Sequence, residues 1–385
     1  MKILQVAYKS EISGGEKVLL NLARYLRRRG HHLLVACPSY GPLVQALQAE
    51  GIDVRNIPVK KTYDLIGAVR LKNLILREGV EILHTHGMLV NIVGRMASRM
   101  AHVPISISTV HLTRELAKGG RAQNTRQWLK GKYYRVWDNF TARFNDRIIA
   151  VSDSVRQDLI GQGINPEKLV VIKNGIERVP HQSPLEMKHW RAEKKKELSI
   201  GSGPVVGTIT RLSKQKDVHT LLYAMSNIVR DYPGIRCLIV GDGPQRRELE
   251  DLRARLALNG NVTFLGYRGD AREILNVFDI FVLSSLWEGL PLVVLEAMAA
   301  SKPVIATRVP GTAEAVVDGT TGILVPLRNS EKLAESIKSL LGDPKLSQSM
   351  GEAGRHRVNK HFRIERMVDE TEKLYMDLMR FKKKN

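Results

Sequence analysis

Cysteine is almost missing from this chain. Among 385 residues there are two, Cys37 and Cys237, one in each half and each inside an apolar, strand-like run. That scarcity excludes a disulfide framework and a cysteine metal site, and it fits core thiols in a reducing compartment. Long apolar runs are missing too, so no stretch has the ~20 residues that a membrane-spanning helix needs. The opening MKILQVAYKSE has too short an apolar segment for a signal peptide and runs straight into a strand. There is no zinc-ligand spacing, no G-x-S-x-G elbow and no Walker lysine motif. Acid is in short supply as well. Sixty Lys and Arg face 39 Asp and Glu, a net charge of +21. Residues 1–180 hold 28 of the bases and 14 of the acids, so +14 lies there and +7 in the remainder. A surplus of that size points to an anionic partner: nucleic acid, an anionic membrane surface or a phosphorylated substrate.

What is present is alternation. A length of 385 residues favours two domains. Lys2–Ala7 reads as a strand, SEISGG as a loop, and Glu16–Arg29 as a helix with Leu19, Leu22, Ala23 and Leu26 on one face. Strand and helix then take turns through strands at Leu33–Cys37, Asp53–Ile57, Glu81–Thr85, Pro104–Val110, Arg147–Ser152 and Leu169–Ile172. Asn174-Gly175 is a turn, and Val179–Pro184, with two prolines, reads as a linker. The alternation restarts with strands at Val205–Thr210, Arg236–Val240, Val262–Leu265, Asp279–Leu283, Pro303–Thr307 and Ile323–Val325, and three helical stretches finish the chain. Two doubly wound parallel sheets follow, with a ligand expected where the carboxyl ends of the strands face a cleft.

The stretch WEGLPLVVLEAMAAS, Trp287 to Ser301, holds the oddest chemistry. Pro291 reads as the first residue of a helix, which runs on through Leu292 to Ala300. It is apolar except for Glu296, and Glu288 stands just outside it. An ionised carboxylate in a closely packed helix is costly unless it is paired, and Glu296 lies too far in to pair with the helix dipole. Either a neighbouring Arg or Lys caps it, or its side chain, leaning toward the helix start, accepts hydrogen bonds from a diol while the free N–H groups of Leu292 and Val293 face a phosphate.

Other candidates are ambiguous singly. Gly14 and Gly15, before Glu16, form either a tight turn or a phosphate cradle at a helix start. The Gly-Asp-Gly-Pro run ending in Gly243 and Pro244 is either a bare turn or a nucleotide-lining loop. Arg211 and Lys216 follow the strand VVGTIT and are either solvated charges or phosphate ligands. His111 ends a strand on the cleft edge, as a structural or a site histidine. His84 and His86 share a strand face and would suit a metal, but lack a third ligand nearby in sequence. The Asp-x-Asp pattern that holds a divalent metal on a nucleotide sugar is missing, which leaves a metal-free site of Arg, Lys and helix N-termini. From Trp128 onward an apolar helical stripe, Leu129, Tyr133, Val136 or Trp137, Phe140 and Phe144, lies among Arg126, Lys130, Lys132, Arg135, Arg143 and Arg147. It reads as a membrane-surface element or as a core helix with a solvated basic face.

Taken in order, Gly14-Gly15-Glu16, the strand ending in His111, RIIAVSDSV, VIKNGIE, Arg211 with Lys216, VGDGP, FLGY, EGLPLVVLEAMAAS, KPVIAT and DGTTGILVP cover nearly the whole chain. In this set the chain resembles the family 4, group 1 glycosyltransferases, retaining enzymes of the GT-B type. The resemblance implies two Rossmann-like domains facing across a cleft: 1–180 for the acceptor, 181–363 for the nucleotide-sugar donor, and 364–385 a helix crossing back to the first. It implies that Glu288 touches the donor sugar's hydroxyls, with Gly289 and Leu290 in the same loop, and that Glu296 holds the ribose. On the same resemblance Arg211 and Lys216 would bind the diphosphate and stabilise it as it leaves, Gly14, Gly15 and Glu16 would meet the phosphates, and His111 would contact the sugar near its reacting carbon. Tyr267 and Arg268 line the base pocket.

Two departures stand out. Pro291 and Asp217 occupy positions where many members of the family carry glycine. The donor expectation is a UDP-sugar first and a GDP-sugar next, with no cofactor and no essential metal. The acceptor is a glycan or lipid-linked molecule of cell-envelope, lipopolysaccharide or other polysaccharide synthesis. Arg126, Trp128, Lys130, Tyr133 and Trp137 would touch it or an anionic membrane surface, with the enzyme cytoplasmic and peripheral on the inner face of the membrane. A nucleotide-sugar epimerase of the same fold is the alternative. A nucleic-acid-binding protein is disfavoured, because it needs aromatic and basic residues interleaved on a sheet or groove helix.

Overall fold

In the computed structural model, residues 1–59, 64–112, 125–178 and 184–384 are described, without the side chains of 88, 125–132, 184–185 and 384. The chain divides into two compact units, Met1–Gly175 with Ile364–Asn385, and Ile176–Arg363.

The first unit has strands β1 (Lys2–Ala7), β2 (His32–Cys37), β3 (Asp53–Asn56), β4 (Ile82–His86), β5 (Ile105–Val110), β6 (Arg147–Ala150) and β7 (Leu169–Val171). Its helices are α1 (Gly14–Arg28), α2 (Pro42–Ala49), α3 (Leu65–Glu78), α4 (Met88–Ala101), α5 (Thr125–Ala142) and α6 (Asp153–Gly161). The strand order is β3-β2-β1-β4-β5-β6-β7, all parallel. The sheet is covered on both faces, so β4 and β5 are buried at every residue, as parallel strands between helix layers must be. The unbroken apolar runs in the sequence follow from this. Each Leu or Ile so enclosed contributes roughly 1.5–3 kcal/mol.

The second unit begins with α7 (Pro184–Glu197) and continues β8 (Val205–Ile209), α8 (Val218–Ile228), β9 (Arg236–Val240), α9 (Arg246–Arg255), β10 (Val262–Gly266), α10 (Ala271–Ile274), β11 (Ile280–Leu283), α11 (Leu292–Ala299), β12 (Val304–Thr307), α12 (Pro310–Ala315), β13 (Gly322–Val325), α13 (Ser330–Gly342) and α14 (Pro344–His361). Its order, β10-β9-β8-β11-β12-β13, is again all parallel. Both orders reverse next to their first strand, between β1 and β4 and between β8 and β11. At such a switch point neighbouring strand exits diverge and leave a crevice at the carboxyl ends.

The last helix, α15 (Ile364–Lys384), belongs to the first unit. It lies on α1 through Arg29 to Asp369 at 2.5 Å and His31 to Glu372 at 2.6 Å, and it buries Val368 and Tyr375 completely. The division between units falls at Gly175 and Ile176, upstream of the expected 180, because the Ile176 N–H donates to the Phe362 carbonyl at 2.9 Å. Residues 179–183 of the expected linker lie outside the described residues. Three local expectations change. Pro291 is the N-cap of α11, with extended backbone at φ −74° and ψ 114°, so the helix starts at Leu292. The fourth strand extends to His86. The short α10 and α12 lack the apolar period that reveals longer helices.

Candidate active site

In the first unit the exit of β1 leads to the start of α1, with Ser13 as N-cap. The Ser13 hydroxyl donates to the carboxylate of Glu16, a buried acid in the first turn, where the helix dipole favours negative charge. The two glycines differ in their surroundings. A Cβ on Gly14 would meet nothing within 4 Å, whereas a Cβ on Gly15 would come within 3.1 Å of the His111 ring. The structure therefore brings Gly15 and His111 together.

His111 ends a ladder of imidazoles. Its ring lies 5.7 Å from that of His86 at 23°, and His86 lies 4.1 Å from His84. His84 is fixed at both nitrogens, Nδ1 to the Tyr375 hydroxyl at 2.5 Å and Nε2 to Thr109 Oγ1 at 2.7 Å. With both nitrogens engaged, His84 is not available as a metal ligand beside His86. The ring nitrogens of His86 and His111 are buried and have no partner among the described residues. Burial lowers His84 to about 3 and His111 to about 4. It also takes His86 well below the ordinary value, with the neighbouring imidazoles adding to the effect. All three are neutral near pH 7. A neutral imidazole can give or take a hydrogen bond without the cost of a buried charge.

In the second unit the loop after β8 is joined to the segment after β11. Ser284 Oγ donates to the carbonyls of Lys216 and Asp217 at 2.9 Å. The Leu286 N–H donates to the Gln215 carbonyl at 2.7 Å, and Gln215 Nε2 donates to the Trp287 carbonyl at 2.9 Å. These bonds set the Lys216 ammonium directly on the Glu288 carboxylate. Glu288 is 6% exposed, so the pair resolves the cost of its burial. Asp217 then starts α8 in left-handed backbone, φ 44° and ψ 49°, and its carboxylate accepts from Thr220 Oγ1 at 2.7 Å. The departure from glycine at 217 thus falls where φ is positive, a region that Asp tolerates better than most residues. Arg211 is exposed, and among the described residues nothing pairs with it.

Gly243 packs tightly against this loop. A Cβ there would lie 2.3 Å from the Leu212 carbonyl oxygen, and one on Gly241, at φ 127°, would lie 2.0 Å from that of Thr210. Close backbone approach on either side of Arg211 accounts for both glycines. Helix α11 is buried nearly all round, yet Val293 and Glu296 are only partly enclosed and lie three residues apart on one face. Glu296 is therefore not a core carboxylate. The N–H groups of Leu292 and Val293 have no backbone acceptor among the described residues, as expected of a helix start. Gly289 and Leu290 are buried in the same loop. Sequence reasoning missed what supports it. Thr307 donates to the Ser285 carbonyl, and a Cβ on Gly311 would lie 2.4 Å from the Gly289 oxygen and 2.6 Å from that of Glu288. The Pro310-Gly311 pair following a strand was the available signal.

Arg268 stands apart from this cluster. Its guanidinium forks onto Asp270 with two bonds of 2.7 Å, and Lys194 reaches the same carboxylate at 2.9 Å. These partners, Arg268 first, hold the Asp270 carboxyl well below the usual range. Tyr267 is 69% exposed.

Residues 12–178 match the model of Glycosyltransferase Family 4, and residues 191–357 match that of Glycosyl transferases group 1. The chain belongs to the family 4, group 1 glycosyltransferases. Among relatives of this glycosyltransferase is the Escherichia coli UDP-Gal:alpha-D-GlcNAc-diphosphoundecaprenol alpha-1,3-galactosyltransferase, 28% identical over 98% of this chain and 97% of its own. Another is the Bacillus anthracis N-acetyl-alpha-D-glucosaminyl L-malate synthase, 29% identical over 83% and 80%. The crystal structure of Anabaena HepE in complex with UDP-glucose aligns with a TM-score of 0.86 at 24% identity, over 98% of this chain and 100% of that one. The glycosyltransferase fold is GT-B.

Proposed function

We propose that this glycosyltransferase moves a sugar from a UDP-sugar, with a GDP-sugar next in order, to a glycan or lipid-linked acceptor of cell-envelope or polysaccharide synthesis, and retains the anomeric configuration. The observation that carries the reading is the Lys216–Glu288 pair, with Arg211, at the start of the same loop, exposed and unpaired among the described residues. In this reading Arg211 and Lys216 hold the diphosphate and stabilise it as it leaves. The N–H groups of Leu292 and Val293 face a phosphate, Glu296 takes the ribose and Glu288 the sugar hydroxyls, in the loop of Gly289 and Leu290. Gly243 keeps the Arg211 loop in place. Tyr267 and the backbone of Arg268 meet the base. Gly14, Gly15 and Glu16 contribute at the phosphates and His111 at the sugar. No essential metal is invoked, because cations and helix N–H groups already offset the leaving charge. Attack then occurs on the face from which the diphosphate departs, through an oxocarbenium-like state.

The names of the relatives support the donor and acceptor classes: the Escherichia coli relative is named for UDP-Gal and a diphosphoundecaprenol acceptor. The aromatic stripe of α5 supports contact with a membrane. Tyr133, Val136 and Phe140 are 49%, 59% and 43% exposed, so this side of the helix does not face a core. The Arg143 guanidinium lies 4.3 Å from the Phe140 ring centre. The inner side is held by Asp138 on the buried Arg95 at 2.5 Å. Trp137 is half-buried, and the side chains of Arg126, Trp128 and Lys130 lie outside the described residues, as does the segment 113–124. Among the described residues no helix is long and apolar enough to cross a membrane, so the contact proposed is peripheral. A thermal-shift panel of UDP, GDP, ADP and their sugars, followed by product analysis with membrane extract, tests the reading. Stabilisation by a nucleotide sugar and a glycosylated lipid product are expected. Turnover of the donor that needs no acceptor would instead indicate an epimerase.

A further inference from the structure

The second unit has a cavity of about 490 Å³ at the other end of its sheet. Pro204, Ile280 and Pro303 line it, at the starts of β8, β11 and β12, whereas Arg211 and Glu288 follow the ends of β8 and β11. Its volume suits a small ligand.

Three cations line this cavity against one carboxylate, Asp279. Arg191 and Lys195 stand one turn apart on α7, where two like charges repel. Lys302 is delivered by the end of α11. The N–H of Lys302 donates to the Ala297 carbonyl at 2.9 Å and that of Ser301 to Met298 at 3.0 Å, with Ser301 in left-handed backbone at φ 55°. This is the six-to-one and five-to-two pattern that closes a helix, and it brings Lys302 to the amino end of the sheet, just before β12.

Among the described residues none of the three spends all its hydrogens. Lys302 Nζ donates to the Asn276 carbonyl at 2.7 Å, one bond for three protons. Lys195 Nζ reaches the Gly203 carbonyl at 2.9 Å and that of Ser202 at 3.5 Å, two bonds for three protons. Arg191 uses Nε and Nη2 on the Val277 carbonyl and Asp279, and among the described residues nothing accepts from its Nη1. Burial, followed by repulsion from Arg191, lowers both lysines, Lys302 to about 7. The protein thus keeps positive charges together with too few acceptors. Ser347 and Gln348 add neutral polar groups to the wall.

We propose that this cavity is a second ligand site, distinct from the donor site, which binds a dianionic phosphate group, free or as the monoester of a small molecule. With Lys302 protonated, the surplus of two positive charges matches such a dianion, whose binding in turn favours that proton. The unspent N–H groups match its oxygens.

The test is calorimetric titration of the full chain with glycerol 3-phosphate, inorganic phosphate and glycerol. Both phosphates are expected to bind and glycerol not. Tighter binding of the ester assigns the site to an esterified ligand, and equal binding to free phosphate. With UDP at saturation to occupy the loop of Arg211 and Lys216, Lys302→Gln and Lys195→Gln should each weaken phosphate binding about tenfold or more. Should Lys302→Gln fail to fold, the half-buried Lys195 carries the same comparison. The absence of phosphate binding at millimolar concentration, or binding abolished by UDP and kept in Lys195→Gln, would overturn the proposal.

Discussion

The Lys216 ammonium rests on the Glu288 carboxylate, and both side chains are mostly enclosed. The two residues come from different loops, after β8 and after β11, and are aligned by the bonds of Ser284 and Gln215. Their pairing makes the effects of mutation separable. Lys216→Met leaves a buried carboxylate alone and should cost about 3 kcal/mol of stability. Adding Glu288→Gln should restore much of that. Transfer should fall at least about 100-fold in each single variant and in the double. Urea unfolding beside initial rates reads both quantities. Wild-type turnover in either single variant would remove these residues from the site.

Asp217 occupies left-handed backbone, which a β-branched residue enters at a cost of about 1–2 kcal/mol. Asp217→Gly should therefore fold as well as the parent, and Asp217→Val should be less stable by about that amount. Thermal unfolding of the pair decides whether conformation, more than the carboxylate, governs this position.

Gly14 and Gly15 should respond differently. Alanine at 14 meets open space, whereas alanine at 15 presses on the His111 ring at 3.1 Å. Gly15→Ala is expected to lower kcat several-fold with the fold intact, and Gly15→Val to lower it further. Gly14→Ala should unfold at the parent's temperature. Equal kcat in Gly15→Ala and the parent would contradict a role for the position of His111.

The buried imidazoles give the first unit a pH dependence of known sign. His84 and His111 titrate at about 3 and about 4 in the folded chain, below the ~6.5 of an unfolded chain. Between these values the unfolded chain binds more protons, so stability is complete above about pH 6.5 and is lost as pH falls toward 4, by up to about 1.4 kcal/mol per unit and per group. Hydrogen exchange of the β4 and β5 amides at pH 7 and pH 5 should show faster global opening at pH 5. His84→Asn with His111→Asn should reduce that difference and leave the share of His86.

Periodicity made both sheets legible, because parallel strands between helix layers carry continuous apolar runs. The candidate site residues stand at strand exits and helix starts, where glycine, proline and isolated charges stand out. The supports of the site did not. Thr307, Ser284 and Gln215 act through backbone carbonyls, which any sequence supplies, so their partners appear only in the fold. The same holds for Tyr375, which reaches His84 from the far end of the chain. Pro291 was misplaced by one position because proline suits both the cap and the first turn. The α5 stripe was ambiguous because a buried and a membrane-facing apolar stripe share one period; the exposure of Tyr133, Val136 and Phe140 shows only that this side of the helix is not core.

The central claim is that Arg211 and Lys216 hold a nucleotide diphosphate without a metal. Calorimetric titration of UDP into the full chain in EDTA tests it most directly, beside Arg211→Ala and Lys216→Ala. The account predicts binding by the parent in EDTA, weakened about tenfold or more in each variant. Binding that needs a divalent cation, or equal affinity in parent and variants, would contradict it.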